Sequence, residues 1–140
     1  MNKKSILIIE SNYYKQIAKN LLLGAKNVLD KEKKDFDVIT VPGALEISCV
    51  LEKFKNSYKG FIILGCVIRG ETSHYEIVTN VSSKIIYDIV RINQLALGFG
   101  LITANDMNQA IERSNIKKRN LGSNAARVCL KMIEILKKSY

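Results

Sequence analysis

Two patterns of hydrophobic and polar positions alternate along the chain. Short runs rich in aliphatic residues occur at 5–10 (SILIIE), 36–41 (FDVITV), 60–68 (GFIILGCVI) and 96–103. The first is apolar at nearly every position, the pattern of a strand buried on both faces of a parallel sheet rather than half-exposed. The run at 60–68 is the most apolar and predicts the central strand. Between these runs, apolar residues recur at intervals of three and four, the period of one buried helical stripe. Ile17, Leu21, Leu22, Ala25 and Val28/Leu29 predict a helix over 14–30, and Ala44, Ile47, Ser48, Leu51 and Phe54 a second after Pro42-Gly43. Ser73-His74-Tyr75-Glu76 fits a capping box that opens a third helix, running to about 93. Two more helices, over 107–113 and 122–138, flank the polar link 114–121.

Strands that alternate with helices, at separations long enough for crossovers, predict an α/β fold with right-handed connections. The expected architecture is a three-layer α/β/α sandwich, flavodoxin-like, on a four-stranded parallel sheet. A length of 140 residues suits a single domain spanning 1–140, with a core that needs neither disulfides nor a metal.

Composition narrows the setting. No apolar run approaches the roughly 18 residues of a membrane span, and the four aliphatic residues after Lys3-Lys4 fall short of a signal peptide's apolar core. The three cysteines, Cys49, Cys66 and Cys129, are an odd number without C-x-x-C spacing, which predicts buried reduced thiols and a cytoplasmic location. Lys and Arg total 22 against 13 Asp and Glu, so the net charge of +9 attracts anions. The basic residues are scattered, with no aromatic-and-basic stripe of the kind a single-strand platform uses, so nucleic acid is not expected as the ligand.

In an open parallel sheet, ligands sit beyond the carboxyl ends of the strands. The loops there span 10–13, 41–46, 67–74 and 99–105, and they hold the chain's one proline and one histidine. Arg69-Gly70-Glu71-Thr72-Ser73-His74 combines a flexible backbone, two hydroxyls and a helix N-terminus, which suits an anion or, equally, a plain turn with its cap. Walker A and G-x-G-x-x-G patterns are absent, which disfavours nucleotides. Histidine as a residue type suits proton transfer, so His74 is a candidate general acid–base, without a Ser or Cys partner for a triad or companions for a metal site. Glu46 is either a dipole-stabilised carboxylate or an acceptor for sugar-like hydroxyls. Tyr13 either stacks a flat ring or belongs to the core, and Arg113 either caps its helix or binds phosphate.

Four blocks in one order, VPGALEI (41–47), GCVIRGETSHYEIV (65–78), FGLITAND (99–106) and QAIERS (109–114), make the chain resemble the lumazine synthase family over nearly its whole length. The resemblance implies an enzyme of riboflavin biosynthesis, a transferase. It joins 5-amino-6-ribitylaminouracil to 3,4-dihydroxy-2-butanone 4-phosphate and releases phosphate, water and 6,7-dimethyl-8-ribityllumazine, without a cofactor. It also implies roles. Tyr13 would stack on the pyrimidine, Glu46 would hold the ribityl hydroxyls, and Ala44, Val67, Ile68 and Phe99 would frame the heterocycle. Glu71 through its backbone, Thr72 and Arg113 would hold the phosphate, and His74 would transfer protons.

The chain departs from the family pattern at a few positions. Leu121 stands where a lysine is common and Asn124 where an acidic residue is, leaving Lys117 as the remaining phosphate partner. Leu45 replaces a frequent Phe and Tyr14 a frequent Asn, which alters the pocket lining. The resemblance further implies homopentamers with active sites between neighbours, Phe99 and Arg113 coming from one chain and Tyr13, Glu46 and His74 from the other. The link 115–119 lacks a glycine kink, and free pentamers are expected rather than shells. The competing readings are an archaeal-type riboflavin synthase and a flavin- or nucleic-acid-binding protein that has kept the fold and lost the chemistry.

Overall fold

The structure, a computed structural model, describes residues 3–71 and 74–138. Strands β1 (Lys4–Ser11), β2 (Phe36–Val41), β3 (Tyr58–Ile68) and β4 (Leu97–Ala104) form one parallel sheet in the order β2-β1-β3-β4. The α/β/α sandwich is as expected, and the most apolar run is indeed an interior strand. β1 and β3 are both interior because they alone are apolar on both faces: Ile6 to Ile9 and Phe61 to Ile63 are wholly buried.

Alternate residues of these strands feed two cores. Ile6, Ile8, Ile62, Leu64 and Ile68 pack beneath α1 (Lys15–Lys31) and α5 (Leu121–Lys137). Leu7, Ile9, Phe61, Ile63 and Val67 pack with residues of α2 (Ile47–Phe54) and α3 (Tyr75–Asn93). A single 3-10 turn, Ala44–Glu46, precedes α2, so that helix begins later than its apolar spacing suggests. The short α4 (Met107–Ser114) starts where Asp106 accepts a hydrogen bond from the Gln109 amide, at 2.9 Å, while Gln109 Oε1 accepts from the Asn105 amide.

The register sets up the site. β1 and β2 stop together at Ser11 and Val41, and the last β1 partner on β3 is Leu64. β3 continues to Ile68, paired with β4 alone through Ala104. The sheet therefore has a step at its carboxyl edge, and on the β1 side the main chain of β3 beyond Leu64 has no strand partner.

Two sequence expectations need correction. His74 occupies the N-cap position of α3, where the expected capping box has Ser73, and the Glu76 carboxylate takes a 2.8 Å hydrogen bond from Arg69 Nη1. Ser73, the other half of the expected capping box, lies outside the described residues. Cys66 and Cys129 are buried, but Cys49 is exposed. It stands two residues from each of the buried Ile47 and Leu51, about 200° around the helix from either, and so on the outer face.

No helix among the described residues is long and apolar enough to cross a membrane. The closest approach between layers is at Gly98, where a Cβ would land on the Ala125 carbonyl oxygen of α5. Gly98→Ala is therefore expected to push α5 off β4 at a cost of about 1–3 kcal/mol. Thermal unfolding should show a lower midpoint, and an unchanged midpoint would refute this close contact.

Candidate active site

The step in the sheet opens into a cleft of about 230 Å³. Its lining comes from four consecutive parts of the fold: Tyr13 and Tyr14 after β1, Gly43 to Glu46 after β2, Cys66, Val67 and Glu71 at the end of β3, and Val78 of α3. Cys66 and Val67 point to opposite faces of the sheet, yet both line the cleft, because it wraps the edge of β3 that β1 has vacated. A flat molecule placed there would meet main-chain groups of β3 that no strand pairs, between apolar walls.

The walls are set by local sequence. Tyr13, 69% exposed, sits in the loop between β1 and α1 and is not core. Its ring stands nearly perpendicular to that of Tyr14, with centroids 4.9 Å apart. Ala44 is buried opposite, and Glu46 is exposed immediately before α2. Beyond β3 the chain turns at Gly70, whose φ of +85° suits a residue without a Cβ. The Glu71 amide closes this turn on the Ile68 carbonyl at 3.2 Å. Arg69 pairs with Glu76 and lies 4.6 Å from the Tyr75 ring centre, which ties the loop to the first turn of α3.

The cleft has a definite electrostatic character. Its Tyr14 phenol is raised above the ordinary tyrosine value, mainly by burial and then by the charge of Glu71. Burial pushes the Cys66 thiol up to about 12, opposed by the nearby Arg113 charge. Both are therefore neutral at pH 7, and among the described residues the charged side chains of the lining are two carboxylates, Glu46 and Glu71, without a cation. Among the described residues there is also no cluster of three or more His, Cys, Asp or Glu able to hold a metal ion.

The structure thus brings Tyr13, Ala44, Glu46, Val67 and Glu71 around one cavity and leaves the other expected residues outside its lining. The Ile68 side chain turns into the core under α1 and α5, so only its main chain faces the step. Phe99 is half-buried on the α3 side, its ring 5.1 Å from that of Tyr87. The Arg113 guanidinium donates to the Thr103 carbonyl rather than to the end of its own helix. Lys117 is exposed in the link after α4, and His74 is exposed where α3 begins. Thr72 lies outside the described residues. Leu121 packs against the α1/α5 core, so its position carries no charge towards a ligand.

Gly43, Cys66 and Val78 are lining residues that the sequence reading did not single out. The loop limits chosen there began at Val67, one residue too late to include Cys66. Val78 lies one helical turn after His74, where the helical period would have found it.

Comparison with known proteins identifies the family. The chain matches the 6,7-dimethyl-8-ribityllumazine synthase family model over residues 3–137. It is 43% identical over 139 residues to the protein of that name from Bartonella tribocorum, covering 97% of this chain and 92% of the other. To the one from Agrobacterium fabrum it is 41% identical over 145 residues, covering 99% and 98%.

The thiols test the cleft's character. Thiolate is the reactive form, and a group raised to about 12 forms little of it until the pH nears that value. With iodoacetamide at pH 8, peptide mass mapping should find Cys49 alkylated first and Cys66 about tenfold or more slower. Equal rates would mean that Cys66 is neither buried nor raised.

Proposed function

The chain belongs to the 6,7-dimethyl-8-ribityllumazine synthase family, and on that footing we propose that the cleft at the sheet step is where its two small-molecule substrates react. The activity is that of a transferase of riboflavin biosynthesis, forming 6,7-dimethyl-8-ribityllumazine. The observation that carries the assignment of the site is the convergence of Tyr13, Ala44, Glu46 and Val67 around one cavity.

In this reading the pyrimidine of 5-amino-6-ribitylaminouracil lies on Tyr13, framed by Ala44, Val67, the main chain through Ile68, and Phe99. Its ribityl hydroxyls donate to Glu46. The phosphate of 3,4-dihydroxy-2-butanone 4-phosphate is held by Thr72, Arg113 and Lys117; the Glu71 backbone, expected beside them, already donates its amide to the Ile68 carbonyl. The amine condenses with the ketone to an imine, phosphate leaves by elimination, and the ring closes with loss of water. His74 carries protons between these steps, and holding two reactants in register supplies much of the acceleration.

Charge supports a site shared between copies. A lining with two carboxylates and no cation repels a phosphate dianion, so the cations must come from beyond it. Arg113, Lys117 and Phe99 lie outside the cleft of their own chain, as expected of residues lent to a neighbour. A further support is α3, where Ile77, Val81, Ile85 and Ile92 form one stripe of exposed apolar side chains that a second copy would cover. The assembly in this reading is a homopentamer of 15.8 kDa chains, without further shell formation, and the enzyme is cytoplasmic.

Purified protein mixed with both substrates should develop lumazine absorbance and release phosphate; failure of both would overturn the reading. Arg113→Ala should raise KM for the phosphorylated substrate by about tenfold or more, the worth of a hydrogen bond to a charged group. His74→Ala should lower kcat on the order of a hundredfold with both KM values largely kept. Unchanged kinetics in either variant would remove that residue from its role.

A further inference from the structure

Tyr13 poses a physical problem as a platform for a ring. It is 69% exposed, and it lies outside the regular elements, between β1 and α1. An aromatic side chain so placed samples several rotamers, and fixing it when a ligand arrives costs conformational entropy that subtracts from binding. Something must hold the ring beforehand.

The neighbouring ring is placed to do so. Tyr14 is partly buried and packs against the core of α1, α5 and the inner sheet, anchored where Tyr13 is not. The two rings meet at 82° with centroids 4.9 Å apart, the edge-to-face geometry favoured by the aromatic quadrupole. Tyr14 itself lines the cleft beside Cys66 and Glu71. The Tyr14 carbonyl also accepts the Ala18 amide at 2.9 Å, in the first turn of α1. The residue is thus tied to the helix through its main chain and to the core through its ring.

We infer that Tyr14 is a positioning residue for the pyrimidine substrate: its core-anchored ring holds Tyr13 edge to face in the orientation that stacks the heterocycle. The inference rests on the stacking role proposed above for Tyr13. It places the determinant in the aromatic edge rather than in the phenolic hydroxyl. Phenylalanine should therefore serve in its place, and an aliphatic residue that fills the same core space should not.

Steady-state kinetics on the full-length protein, varying each substrate in turn, test this. Tyr14→Leu should raise KM for the ribitylaminouracil about two- to tenfold, the range an edge-to-face pair carries. KM for the butanone phosphate and kcat should move little, and Tyr14→Phe should behave as the parent protein. Tyr13→Ala should raise the same KM at least as much as Tyr14→Leu does. A raised KM in Tyr13→Ala beside an unchanged one in Tyr14→Leu overturns the inference and leaves the stacking role standing. An unchanged KM in both removes the stacking role and the inference together. A parallel rise in both KM values for Tyr14→Leu marks a general loss of structure and also counts against positioning. If Tyr14→Leu does not fold, Tyr14→Phe carries the test alone, and a raised KM there overturns the claim.

Discussion

The arrangement depends on a mismatch in length between two adjacent strands. β1 and β3 are apolar on both faces and pair in register, yet β1 ends at Ser11 while β3 runs on past Leu64 to Ile68. The burial of both strands fixes that register, because a slip of one residue would turn every inward aliphatic side chain to the wrong layer. The step is therefore as rigid as the core itself. A cleft on such a base needs no moving part to form, and its unpaired strand edge offers main-chain groups in fixed positions.

The site resolves a conflict of charge. The protein as a whole is strongly basic, with a net charge of +9, but the cleft walls present Glu46 and Glu71. A carboxylate is well suited to hydroxyls and poorly suited to phosphate. In the proposed account the two substrates are sorted by this contrast, the polyol against Glu46 and the phosphate against cations carried on the α4 side. Arg113 is held by its bond to the Thr103 carbonyl at the end of β4 and is not among the residues lining the cavity of its own chain. Phe99 is likewise held on the α3 face beside Tyr87. In the proposed account both serve a cleft across a boundary between copies.

Much of this was legible in the sequence where periodicity is strong. The aliphatic runs located all four strands, β2 with its observed limits, and the three-and-four spacing located α1 and α2. The loop rule then pointed to the end of the sheet where the cleft lies, and the resemblance to the family pointed to Tyr13, Ala44, Glu46 and Val67, which line it together. The step was not legible, because it depends on where strands distant in sequence stop pairing rather than on any one segment. Cys66 was missed for the same reason: it counts as strand by its pattern and becomes cleft only because β1 has ended. Glu76 has the spacing of a capping residue, and spacing alone does not reveal that its carboxylate also meets the Arg69 guanidinium in a charge-assisted bond. Cys49 sits in an apolar stretch whose helix buries the opposite face.

The sharing of the cleft between copies is tested most directly by subunit complementation. Arg113→Ala and Glu46→Gln chains, each weakly active alone, would be unfolded together, refolded as mixed oligomers and assayed for lumazine formation. The account predicts that the mixture regains activity well above the mean of the two variants, because some boundaries then pair an intact Arg113 with an intact Glu46. Activity equal to that mean would contradict it, since both residues would then serve the same chain's cleft.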